Sequence, residues 1–109
     1  MDQKKPESDQ EIMAELRAPI DELIDKYFAT QTAYQKLRVR QLAWQAVDIL
    51  VRTGNIADLE QDKNVKRILK DIKELGASEE FIDQSLSLAV SIYKKMQLNF
   101  PGLLKRYRG

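Results

Sequence analysis

Histidine and cysteine are both absent from the 109 residues. Imidazole and thiol chemistry is absent with them, which excludes Ser-His-Asp and Cys-His triads, zinc fingers, thiol redox centres and His-ligated haem. Carboxylates remain as metal ligands, and Asp58, Glu60 and Asp62 form their densest group, at alternate positions. A calcium loop of the EF-hand type needs a glycine after its third acid and a closing glutamate. Lys63 and Asn64 follow instead, so these acids read as a solvated loop that caps the next helix. The glycines, at 54, 76, 102 and 109, are too scattered for a phosphate-cradling loop. No cofactor and no metal is expected.

The cations are the richer group. Net charge is only +1, so their distribution matters more than their sum. Lys36, Arg38, Arg40 and Arg52 stand against Asp48 alone over residues 36 to 52. Lys63, Lys66, Arg67, Lys70 and Lys73 outweigh Asp71 and Glu74. Lys94, Lys95, Lys105, Arg106 and Arg108 have no acid among them from residue 94 onward. Convergence of these segments on one face would hold phosphates through counterion release, and Tyr107 between Arg106 and Arg108 could stack on an unpaired base. The bland alternative is an ordinary solvated helix face. Trp44 lies among Leu42, Ala43, Ala46 and Val47, with Arg38, Arg40 and Gln41 nearby. That reads as core or dimer contact, or as a partner-binding anchor formed by Arg38, Arg40 and Trp44, because Trp and Arg are enriched at hot spots.

The elements that must position these residues are helices. Gly is 4 and Pro is 3, too few for a turn-rich β fold. Ser8 followed by Glu11 is a capping box, and Ile12, Met13 and Leu16 mark a first short helix. Pro19 is expected to open the next helix, since proline suits the first helical position. From Pro19 to Thr53 no Pro or Gly intervenes, and apolar residues, Tyr34 and Leu37 included, recur at helical spacing. One continuous or kinked helix over 19–53 would be about 52 Å long. That exceeds a compact monomer with a radius of gyration of about 13 Å, and it points to a homodimer. A turn at Thr30-Gln31-Thr32 is the alternative. Val65, Ile68, Leu69, Ile72 and Leu75 form an amphipathic stripe that Gly76 ends. Ser78 caps a last long helix, broken at Asn99-Phe100-Pro101-Gly102.

The expected architecture is all-α: a small helical bundle with one long helix over 19–53 and two further helices, packed as a dimer. Residues 1–7 read as a flexible tail, 8–104 as a single helical domain and 105–109 as a basic tail. No signal peptide and no apolar run of membrane-spanning length is visible, so a cytoplasmic protein without membrane contact is expected.

Leu16-Arg17-x-x-Ile20-Asp21-Glu22-Leu23 resembles the opening of the all-helical chorismate mutases, which are intertwined dimers with a long first helix. Glu74-Leu75-Gly76-Ala77-Ser78-Glu79-Glu80-Phe81-Ile82, with Gln97 later, is similar to their close. The resemblance implies that Arg17 would hold a substrate carboxylate and Gln97 would bond the ether oxygen. The family's second arginine falls on Tyr34 and its lysine on Gln45, so two of the cations that would stabilise the developing oxyanion are missing. Three functions therefore follow from the residues. The first is a non-enzymatic accessory or regulatory subunit acting through protein–protein contacts. The second is a nucleic-acid-binding accessory protein using Lys63, Lys66, Arg67, Lys70, Lys73, Lys105, Arg106, Tyr107 and Arg108. The third is a small enzyme of the chorismate-mutase type.

Overall fold

The computed structural model describes residues 8–108, so the tail expected over 1–7 and Gly109 lie outside the described residues. Five α-helices follow in order: α1 (Asp9–Tyr27), α2 (Ala33–Thr53), α3 (Lys63–Glu74), α4 (Glu79–Asn99) and α5 (Pro101–Arg108). A short 3-10 turn, Leu59–Gln61, precedes α3. Among the described residues there is no strand, and no helix is long and apolar enough to cross a membrane.

The segment 19–53 is not one helix in this chain. Phe28 caps the end of α1, and its N–H donates to the Ile24 carbonyl at 2.7 Å. Thr32 then starts α2 with a reciprocal capping box. Its hydroxyl accepts from the Gln35 N–H, and the Gln35 side chain accepts from the Thr32 N–H, both at 3.1 Å. These bonds satisfy orphan N–H groups at the start of a helix, and the polar run Thr30-Gln31-Thr32 turns the chain without Gly or Pro. The overhang that pointed to a dimer is therefore not present. Replacing Thr32 by Ala is expected to cost about 1 kcal/mol and to lower the thermal midpoint by roughly 4–8 °C. Thr32→Ser should change it little, and circular dichroism melts of the two variants check this.

Pro19 likewise does not open a helix but sits inside α1. It removes the N–H that Glu15's carbonyl would accept from. Glu15 lies on the exposed side of α1, where a carbonyl without a helical partner is tolerated. The proline that does open a helix is Pro101, at the first position of α5, where a missing N–H costs nothing.

Side-chain contacts fix the topology. Arg40 meets Asp21 at 2.7 Å, so α2 runs back along α1. Gln35, near the start of α2, donates to the Leu75 carbonyl just past α3 at 3.1 Å, so α3 is antiparallel to α2. Phe81 at the start of α4 packs on Phe28 at the end of α1. Lys95 near the end of α4 meets Glu15 at 3.2 Å. The result is an up-down-up-down bundle in which α2 and α4 pack against each other and against both α1 and α3. Its smallest extent is 20 Å, about two helix diameters. The core is built of apolar side chains, with Leu16, Leu42, Leu50, Ile72 and Phe81 among the most buried. Gly54 ends α2 in the left-handed region, at φ 67°, where a side chain would be strained.

Candidate partner-binding groove

Tyr34 and Leu37 were expected on the apolar face of a helix, yet they are 68% and 50% exposed. The reason is helical phase. The core arc of α2 is set by Val39, Leu42, Ala46 and Leu50, and Leu37 points to the opposite side of the helix. Tyr34, Leu37, Gln41 and Trp44 recur at i, i+3, i+7 and i+10 and form an outward stripe of their own. Beside it lies a groove of about 330 Å³ between α1 and α2, lined by Arg17, Ile20, Leu37, Arg40, Gln41 and Trp44.

Each wall of this groove has a structural cause. Ile20 is buried on the core side of α1, which carries Arg17, one turn earlier, to the rim. The Arg17 guanidinium lies 5.0 Å from the centre of the Trp44 ring, a cation–π contact. It has no carboxylate partner among the described residues. Arg40 is held across the groove by Asp21. Arg38 donates to Gln41 at 3.3 Å on the outer flank of the same stripe. Of the predicted Arg38, Arg40 and Trp44, the groove brings together Arg40 and Trp44 and adds Arg17 and Leu37, whereas Arg38 and Tyr34 lie outside its lining.

Trp44 is fixed from behind by α5. Its indole N–H donates to the Tyr107 hydroxyl at 3.1 Å. Burial, then the hydrogen bond to Asp48, pushes the Tyr107 phenol above its ordinary value. Tyr107 is half-buried, and the Arg52 guanidinium lies 6.0 Å from its ring centre. The expected basic tail is therefore a docked helix, because Leu103 and Leu104 are buried against the bundle. Its charges are largely engaged inside the molecule. Arg108 donates to the Val51 carbonyl at 2.9 Å and to the Tyr93 hydroxyl at 3.0 Å, which suits a cation at the end of α2. Arg106 makes two bonds to Asp9, at 2.9 and 2.6 Å. Lys105 is exposed and, unlike Arg106 and Arg108, has no partner among the described residues.

Arg106 holds the Asp9 carboxyl below its ordinary value, chiefly through that hydrogen bond. A lowered carboxyl pKa contributes stability above the unfolded-state value, near 3.9, that is lost as pH falls through the folded-state value. Asp9→Asn is therefore expected to lower the thermal midpoint at pH 7. Wild type and variant should converge as pH falls through the lowered folded-state value, as melts from neutral to acid pH would show.

The remaining predicted residues lie elsewhere. Lys63, Lys66, Arg67 and Lys70 are exposed on α3, whereas Lys73 is tied to Glu79 at 2.7 Å. Asp62 accepts from the Asn64 and Val65 N–H groups as the cap of α3, and Asp58 pairs with Asn55 in a turn. Gln97 donates to the Tyr93 hydroxyl at 3.2 Å on α4 and does not line the groove that holds Arg17. A larger groove of about 570 Å³ between α1 and α4 has Glu22 and Lys26 on its rim, charges of opposite sign that select no partner.

Comparison with protein-family models, with curated proteins and with solved structures finds no match.

Proposed function

We propose that the chain is a non-enzymatic helical accessory or regulatory subunit, and that its α1/α2 groove takes an acidic amphipathic segment of a partner protein. The observation that carries this reading is Leu37, half-exposed beside a Trp44 whose face is covered by an unpaired Arg17. An apolar centre with an arginine rim is the anatomy of a binding hot spot. Arg17 and Arg40 are the charged side chains that line it, while Asp21 and Asp25 stand in the adjoining cleft with Lys36, so carboxylates on the partner are favoured at the groove and lysines are repelled. A helix that presents leucines along one face, at i, i+3 and i+7, would lay an apolar stripe against Leu37 and Trp44.

Trp44 is the single tryptophan of the chain, so emission excited selectively from tryptophan reports on this groove. The test is a titration with a synthetic helical peptide of leucines and glutamates, with its leucine–lysine counterpart as control. A saturable change with the acidic peptide only, weakened at least tenfold in Leu37→Ser, supports the reading. An equal response to both peptides, or none, overturns it. Light scattering covers the remaining occupant. Twice the chain mass, falling to the chain mass in Leu37→Ser, would assign the groove to a second copy, the homodimer expected from the sequence.

A further inference from the structure

Four cations stand on one side of α3. Lys63, Lys66, Arg67 and Lys70 fall at i, i+3, i+4 and i+7, which places them in one arc of the helix. Val65, Ile68 and Ile72 occupy the opposite arc and are buried. All four cations are exposed, and none has an ion pair among the described residues. Lys94 and Lys105 are also exposed without an ion pair among the described residues, but they stand singly, and other cations are engaged. Arg40, Arg52, Lys73, Lys95 and Arg106 each meet a carboxylate, and Arg108 is turned onto a carbonyl. No acid lies between Lys63 and Lys70. Asp62, just before them, is committed as the helix cap. Asp71 and Glu74 follow beyond the last lysine.

We infer that this stripe binds the phosphate backbone of a nucleic-acid duplex without reading its sequence. From Lys63 to Lys70 the helix rises about 10 Å, a length over which a duplex presents roughly six phosphate charges. No aromatic residue occurs in α3, so the stacking that favours unpaired strands is missing. Its apolar face is buried in the bundle, so α3 has nothing to insert into a membrane. Tyr107, the stacking candidate from sequence, is engaged with Trp44 and takes no part.

The test is the anisotropy of a labelled duplex at 50 and 200 mM salt. Four neutralised phosphates give a log–log salt slope of about −3.6, so the higher salt weakens binding roughly 150-fold. Lys66→Gln/Arg67→Gln halves the slope and reduces that loss to about 12-fold. Lys94→Gln/Lys105→Gln, outside the stripe, leaves the slope unchanged. Circular dichroism confirms that both variants are folded. Absence of binding at the lower salt overturns the inference, as does a slope indifferent to the first pair. Binding to phosphatidylserine vesicles but not to the duplex would also overturn it, and would assign the stripe to a membrane surface.

Discussion

Replacing Phe28 by Ala is expected to destabilise the fold by about 3–5 kcal/mol. Phe28 is 1% exposed and sits where three parts of the chain meet. Its backbone closes α1, its ring meets Phe81 of α4 edge-on with centroids 5.0 Å apart, and its carbonyl accepts from Gln31 within the turn that leads to α2. Truncation removes the transfer free energy of the ring and leaves a cavity beside Phe81. The edge-to-face pair adds roughly 0.5–1.5 kcal/mol beyond the area buried. Domains of this size hold about 5–15 kcal/mol in total, so the loss takes a large share. The thermal midpoint should fall by on the order of 20 °C. Phe28→Leu keeps most of the volume and should lose far less. Urea unfolding of the three proteins measures both. A Phe28→Ala protein as stable as wild type would contradict the placement of this ring at the junction.

Replacing Arg17 and Arg40 together by Glu is expected to weaken binding of the leucine–glutamate peptide about 100-fold, or roughly 2.7 kcal/mol. Two attractive charges become repulsive ones at the edge of an apolar contact, and like charges across an interface are costly. Arg40→Glu also sets a second carboxylate beside Asp21, which raises the negative potential of the groove. Neither arginine belongs to the core, so the helical signal should persist. Trp44 fluorescence measures affinity in wild type and variant alike. An unchanged affinity would mean that the peptide binds elsewhere or by its leucines alone.

Much of the fold was legible in local signals. The Ser8–Glu11 capping box and the Ser78 cap appear where sequence places them, and so does the α3 stripe from Val65 to Ile72, with Leu75, its expected last member, at the helix cap. They were legible because capping and periodicity are satisfied within one turn or one helix face. Thr32-x-x-Gln35 carried the same kind of signal as Ser8-x-x-Glu11. It was masked by the lack of Gly or Pro, which made the helix seem to run on to Thr53. The two prolines exchange roles for a related reason. The rule that proline opens helices is local, and only tertiary context decides that Pro19 is tolerated inside α1 while Pro101 starts α5.

The groove was half legible. Arg38, Arg40 and Trp44 were visible as an arginine-flanked tryptophan. Leu37 and Tyr34 were hidden by their apolar type, although Leu37 is out of phase with Val39, Leu42 and Ala46. Arg17 joins Trp44 across 27 positions, and Asp9 joins Arg106 across 97. Such pairings depend on how helices pack, and no single-helix periodicity encodes them. The C-terminal cations show the same limit, because composition reads them as a free basic tail whereas packing turns Arg106 and Arg108 onto partners within the molecule.

The most direct test of the groove is a charge exchange. Wild type and Arg17→Glu/Arg40→Glu are each titrated with the leucine–glutamate and the leucine–lysine peptide, with Trp44 emission as the signal. Recognition of an acidic segment by these arginines predicts an inversion: wild type binds the acidic peptide, and the variant prefers the basic one. If both proteins rank the two peptides in the same order, the arginine rim does not select the partner, and the proposed function of the groove is contradicted.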